Sequence, residues 1–441
     1  MKSTHLLSLS LLLSSAVFAS EWTGKNANWD SDANPGWNGT GVPNAIGAYA
    51  VFGDATASAT IAQNVSADGV RLGALIVSGS KSGDIAINKY SGFSGTPTNL
   101  VFNMDGAGPG YAVVSNTGPR RLSLGTGYCI LEDDLEIVNA PENPNAGNSY
   151  AIGGNGALHG TGKVTFDNNQ NTYNQRIGLG NSGTYVGDTL IRRGAVGYTS
   201  NGSTSSFGKD PKTGGNRVTL GETGMGDASL ILDGTAAVFY HTLETASDVG
   251  GILRLASNYQ AGKKWTATVG GNVTLNDGLV LSIPAPDAGY PGVLLLSGIV
   301  SGNGGLAKED TGTATLSKAN TYAGGTAVSA GCLAVASSGS LGTGPVSVAA
   351  GATLSLSNSV AIADAADVTL GAGSDAYGVL DLPAGVHESV GTLHLGSRWK
   401  LKGTYGATGS GAKYIDDRHF TGGGVLEVLT GPPEGTVLLV Y

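Results

Sequence analysis

Residues 313–357 read TATLSKANTYAGGTAVSAGCLAVASSGSLGTGPVSVAAGATLSLS. Apolar and small polar residues alternate here in short runs, as in Val346-Ser347-Val348 and Leu354-Ser355-Leu356. That two-residue period belongs to a β-strand with one buried face. Gly separates the runs and permits the positive φ that sharp corners need. A second copy of the pattern lies within residues 161–233. Thr184-Tyr185-Val186-Gly187-Asp188-Thr189 matches Thr321-Tyr322-Ala323-Gly324-Gly325-Thr326. Arg193-Gly194-Ala195-Val196 matches Ala330-Gly331-Cys332-Leu333, and Ser205-Ser206-Phe207-Gly208 matches Gly339-Ser340-Leu341-Gly342. An internal repeat of short strands and corners implies coils stacked so that each covers the apolar face of the next. The fold expected is all-β, a right-handed parallel β-helix (β-solenoid) with an N-terminal cap.

The same style continues outward from the repeat. Between Val51 and Leu429, runs such as Leu75-Ile76-Val77, Leu100-Val101-Phe102, Leu230-Ile231-Leu232 and Val425-Leu426-Glu427-Val428 recur between Gly, Asn, Asp and Ser. Each suits a strand of about four residues. Gly makes up 73 of 441 residues while charged residues are only 13%. Low charge combined with 40% hydrophobic residues argues for a packed core rather than disorder. The net charge of −9 offers no basic stripe for phosphates, so nucleic acid is excluded as a partner.

Residues 313–357 closely resemble the autotransporter-associated β-strand repeat. The likeness rests on Asn320-Thr321-Tyr322-Ala323-Gly324-Gly325-Thr326, on Ala330-Gly331-Cys332-Leu333, on the 339–348 stretch and on Ala350-Gly351-Ala352-Thr353-Leu354. It covers about a quarter of the chain by the repeat criterion. The resemblance implies a parallel β-helix passenger on or outside the cell, structural or adhesive, with no catalytic residues to carry over. It also implies a C-terminal membrane barrel, and no such domain is expected after Ser357. The chain therefore reads as a passenger-type protein lacking the translocator barrel.

The ends read differently from the middle. Residues 1–19 have the layout of a bacterial Sec signal peptide: Lys2, an apolar stretch, then small residues before Ser20. The expectation is a protein exported through Sec and secreted or held on the cell surface, with a periplasmic location left open. No transmembrane segment is expected in the mature chain, because no other run is long and apolar enough. Residues 20–52 read as a capping segment, 53–430 as the β-helix, and 431–441 as a tail.

Chemistry-bearing residues are sparse. Cys129 and Cys332 are too far apart for a metal or C-x-x-C motif and read as small buried hydrophobes. The six histidines form no metal pattern, and no cofactor is expected. Asp133-Asp134 and Asp416-Asp417 are the adjacent acid pairs, but strand neighbours point to opposite faces. No catalytic residue is assigned, and the chain is read as no enzyme. The function expected is a secreted or surface structural or adhesive β-helix. The alternatives are a polysaccharide-binding protein using Trp22, Trp29, Trp37, Tyr173 and Tyr185 as stacking platforms, and a polysaccharide-active enzyme. Partners stay open between surface polysaccharide, other extracellular proteins and self-association.

Overall fold

The computed structural model describes residues 19–432 apart from 23–26, 30–36, 40–41, 54–58, 64–69, 79–83, 90–99, 105–109, 119–120, 126–127, 141–149, 154–156, 172–175, 181–182, 201–203, 210–214, 235, 258–261, 263 and 286–291. The regular structure of these residues is β-strand throughout, nearly all short and parallel. No helix among them is long and apolar enough to cross a membrane. The chain is a parallel β-solenoid. Its contacts divide it into two units, Met1–Asp233 and Gly234–Tyr441.

The first unit is three-sided. Its first ladder runs through Ala19–Trp22, Tyr49–Phe52, Ala74–Val77, Tyr111–Asn116, Asp134–Asn139, Val164–Asn168, the first half of Thr189–Tyr198 and Arg217–Leu220. A second ladder includes Ala59–Gln63, Ile85–Lys89, Leu122–Leu124, Arg176–Gly178, the second half of Thr189–Tyr198 and Ala228–Leu232. A third joins Val70–Leu72, Leu100–Phe102, Tyr128–Leu131 and Ala157–Gly160. Inward columns form where successive coils keep the same register. Ala112, Leu135 and Val164 stack, as do Val114, Ile137 and Phe166.

The third inward column is polar. Asn116, Asn139 and Asn168 stand one above another and are buried. Asn116 Nδ2 donates to Asn139 Oδ1 at 3.4 Å, Asn139 Nδ2 to Asn168 Oδ1 at 2.8 Å, and Asn168 Nδ2 to the Ala195 carbonyl at 2.9 Å. Asn139 and Asn168 each both give and receive, so these buried dipoles are paired along the stack.

The second unit carries two long ladders. One, named here for Leu253, runs through Leu253–Ser257, Leu279–Ser282, Leu306–Glu309, Thr326–Val328, Val346–Val348, Asp367–Leu370 and Thr392–Leu395. The other, named for Trp265, runs through Trp265–Val269, Gly292–Leu296, Thr313–Leu316, Cys332–Val335, Thr353–Leu356 and Val379–Asp381. Leu294, Ala314, Leu333, Leu354 and Leu380 form one inward column. Leu296, Leu316, Val335 and Leu356 form its neighbour. Burying each large side chain contributes roughly 1.5–3 kcal/mol before entropy is charged. The alternation read from Val346, Val348, Leu354 and Leu356 points these side chains inward, as the sequence predicts.

Both cysteines are free thiols. Cys129 is buried, which pushes its thiol up to about 12. Cys332 is half-buried on the outward side of its strand.

Candidate functional site

The aromatic platforms expected from the sequence are interior residues. Trp22, Trp29 and Trp37 pack with Phe52 at centroid separations of 4.9 to 6.5 Å. Trp29 Nε1 donates to the Pro43 carbonyl at 3.1 Å, and Trp37 Nε1 to the Trp29 carbonyl at 2.8 Å. Tyr185 is wholly buried, and its hydroxyl meets Thr189 Oγ1 at 2.7 Å. A ring with neither face exposed has no surface for a sugar, so these four positions are corrected to core. Tyr173 lies outside the described residues. The physical reason is packing: the three tryptophans cover one another and Phe52, and the Tyr185 ring fills the space beside Gly208.

Asp133 and Asp134 fasten coils, whereas Asp416 and Asp417 hold a local turn. Asp133 Oδ2 accepts from the Met104 amide at 2.6 Å, and Asp134 Oδ1 from the Lys163 amide at 2.8 Å. Asp417 accepts from the backbone and hydroxyl of Thr408 at 2.6 and 2.7 Å. The densest charge lies on the first ladder of the first unit. Arg192 pairs with Glu136, with Asp167 at 3.3 Å and with Glu222 at 2.6 Å, and Arg193 meets Asp167 at 2.5 Å. Burial alone would lower the Arg192 pKa, but the three carboxylates outweigh it and raise it. The cluster cross-links coils. Among the described residues no three His, Cys, Asp or Glu side chains converge as metal ligands.

The concave feature of the second unit lies on the outside of the Leu253 ladder. There Val280, Ala307, Ala327, Ser347 and Thr369 stack in register with side chains outward. They line a groove of about 510 Å³. The trough exists because Gly278, Gly305 and Gly325 border that column and carry no side chains. The register continues from Thr369 to His394, and His394 pairs with Trp399 on the antiparallel strand Arg398–Trp399. The two rings lie 5.5 Å apart at 32°. Trp399 is 41% exposed, whereas the other four tryptophans are buried. Sequence reasoning passed over Trp399. Its signal was the setting Ser397-Arg398-Trp399-Lys400, a polar turn that cannot bury a large ring.

Residues 306–335 match the family described as Passenger-associated-transport-repeat. This stretch is an autotransporter passenger-type repeat. A stretch of 118 residues, 25% of the chain, is 37% identical to the Adhesin BmaC autotransporter of Brucella suis biovar 1 (strain 1330). The chain spans only 3% of that relative. No solved structure matches the chain.

The passenger repeat explains why its motif residues recur. Tyr322 is buried, and its hydroxyl meets Thr326 Oγ1 at 2.7 Å, the same bond that joins Tyr185 to Thr189. Gly342 and Gly208 give these rings room. A Cβ would lie 2.0 Å from the Tyr322 carbonyl oxygen in one copy and 2.3 Å from that of Tyr185 in the other. Gly331 and Gly194 turn equivalent corners at φ 64° and 71°. Within the passenger repeat, Lys308 occupies an inward column between Leu281 and Val328. Its ammonium donates to the carbonyls of Glu309 at 2.7 Å, Asp310 at 2.8 Å and Ala330 at 3.3 Å. Burial lowers its pKa to about 8, against the raising influence of Asp310, Cys332 and Glu309.

Proposed function

We propose that this chain is a secreted or cell-surface β-helix with an adhesive or structural role and no catalytic step, exported through Sec. The observation that carries the reading is the passenger repeat at 306–335, together with the 118-residue likeness to an autotransporter adhesin. Three features support it. The outward columns of the Leu253 ladder are largely small residues, which make a smooth surface for docking. Asp133, Asp134 and the Arg192 cluster are occupied in holding coils together. The leader residues 1–19 point to export; residues 1–18 of them lie outside the described residues.

The test is attachment of beads coated with the purified mature chain. Coated beads should bind bacterial lawns, cultured epithelial cells or matrix-coated plates at least several-fold better than albumin-coated beads. Attachment no better than albumin on every surface overturns the adhesive role. Clearing zones in polysaccharide gels would overturn the non-enzymatic part alone.

A further inference from the structure

We propose that the groove on the Leu253 ladder and the exposed ring of Trp399 form one track for a linear, uncharged polysaccharide. This deepens the adhesive reading and rests on it, by naming the partner class and the site.

The track is continuous. Val280, Ala307, Ala327, Ser347, Thr369, His394 and Trp399 follow one another strand by strand in a single register. Adjacent strands lie about 4.8 Å apart, close to the length of one pyranose ring. A chain laid along the stacking direction would therefore set one sugar over each coil. Trp399 offers an open aromatic face at the end of the row, held in place by His394. An aromatic face accepts the C–H side of a sugar, and the hydroxyls of Ser347 and Thr369 can hydrogen-bond its rim.

Two observations choose this occupant over others. The groove margin carries the carboxylates of Asp277 and Asp367. These repel a polyanion such as an acidic glycan. Arg398 stands beside Trp399 but alternates to the other side of its strand. The groove also runs across the strands, whose amides and carbonyls are already spent in the ladder. A polypeptide lying there could not bind by adding a strand to the sheet.

The experiment is native electrophoresis of the full mature chain through gels containing laminarin, xylan, mannan or alginate, with iodide quenching of tryptophan alongside. At least one neutral gel should retard the protein, and the same polysaccharide should shield Trp399 from iodide. Trp399→Ala and Ala327→Arg should each weaken retardation at least ten-fold, and Trp399→Phe should lose less. Ala327→Arg places its side chain outward, so its melting temperature should match wild type even if Trp399→Ala loosens the last strand pair. No retardation in any neutral gel, equal retardation of all variants, or retardation by alginate alone overturns the track. Bead attachment separates the two ideas: a wild-type chain that adheres without binding any glycan sinks the track and leaves the adhesive reading standing.

Discussion

In residues 1–233 one inward column is Asn116, Asn139 and Asn168; in residues 234–441 the columns of the Trp265 ladder are Leu, Val and Ala, closed at one end by Phe420. The two interiors use different means to hold coils in register. An amide column pairs only when Asn stands over Asn, so a shift of the strand leaves buried dipoles unpaired. An apolar column tolerates exchange of one aliphatic side chain for another at a cost typically below ~1.5 kcal/mol. Coil length differs locally as well: hydrogen bonds between successive coils span 20 to 21 residues at the passenger repeat, but 23 to 29 along the asparagine column.

The strongest test of the apolar interior is Leu354→Asp. The position is fully buried between Leu333 and Leu380. Removing the leucine costs about 2–5 kcal/mol, and an unpaired carboxylate adds to this. Peptide-resolved hydrogen exchange should show protection lost across residues 306–395 first. Unchanged exchange there would mean that the inward face is assigned wrongly. Asp233→Ala is the counterpart in the first unit. Asp233 receives Arg176 Nε at 2.8 Å and Nη2 at 3.2 Å, with both side chains buried. Leaving that guanidinium buried without its carboxylate should cost about 3–5 kcal/mol. The loss should fall on residues 176–233, and a loss shared equally by both units would erase the distinction between them.

A smaller effect probes the amide column itself. Asn139→Leu removes the central member and leaves its neighbours short of a partner along the stack. The expected cost is about 1–3 kcal/mol, read as a lower melting temperature of the first unit. An aliphatic replacement that stabilises the unit would show that the column is dispensable there.

The fold was legible because its signals are local and repeated. The Tyr-x-x-x-Thr spacing of 185–189 and 322–326, and the corners at Gly194 and Gly331, match residue for residue between the copies. The asparagine column was legible in principle, since Ser115-Asn116, Val138-Asn139 and Asp167-Asn168 each close a strand. Seeing it requires the register, because coils of unequal length hide which residues meet. The candidate site was misread for the opposite reason. Tryptophan and tyrosine were taken as platforms by type, but exposure is set by the coil. Trp22, Trp29 and Trp37 face one another, while Trp399 sits on a short strand that, among the described residues, ends the Leu253 ladder. Lys308 was equally hidden: its neighbours Glu309 and Asp310 make it look solvated, yet the alternation turns it inward.

Lys308 also yields the finest test, because it is the polar member of an otherwise apolar column. Its folded pKa of about 8 lies below the ordinary lysine value, so between these two values the unfolded chain binds more protons than the folded one. The sign follows: this group makes the protein more stable as pH rises from about 8 toward the usual lysine range, and the gain is absent below pH 8. Lys308→Met keeps the length of the side chain, loses the three carbonyl contacts and removes the titration. The difference in melting temperature between wild type and Lys308→Met should therefore shift in favour of wild type from pH 8 to pH 10. A pH-independent difference would mean that the ammonium carries no burial penalty. The second unit's interior would then accept a charge as readily as the first accepts its amides.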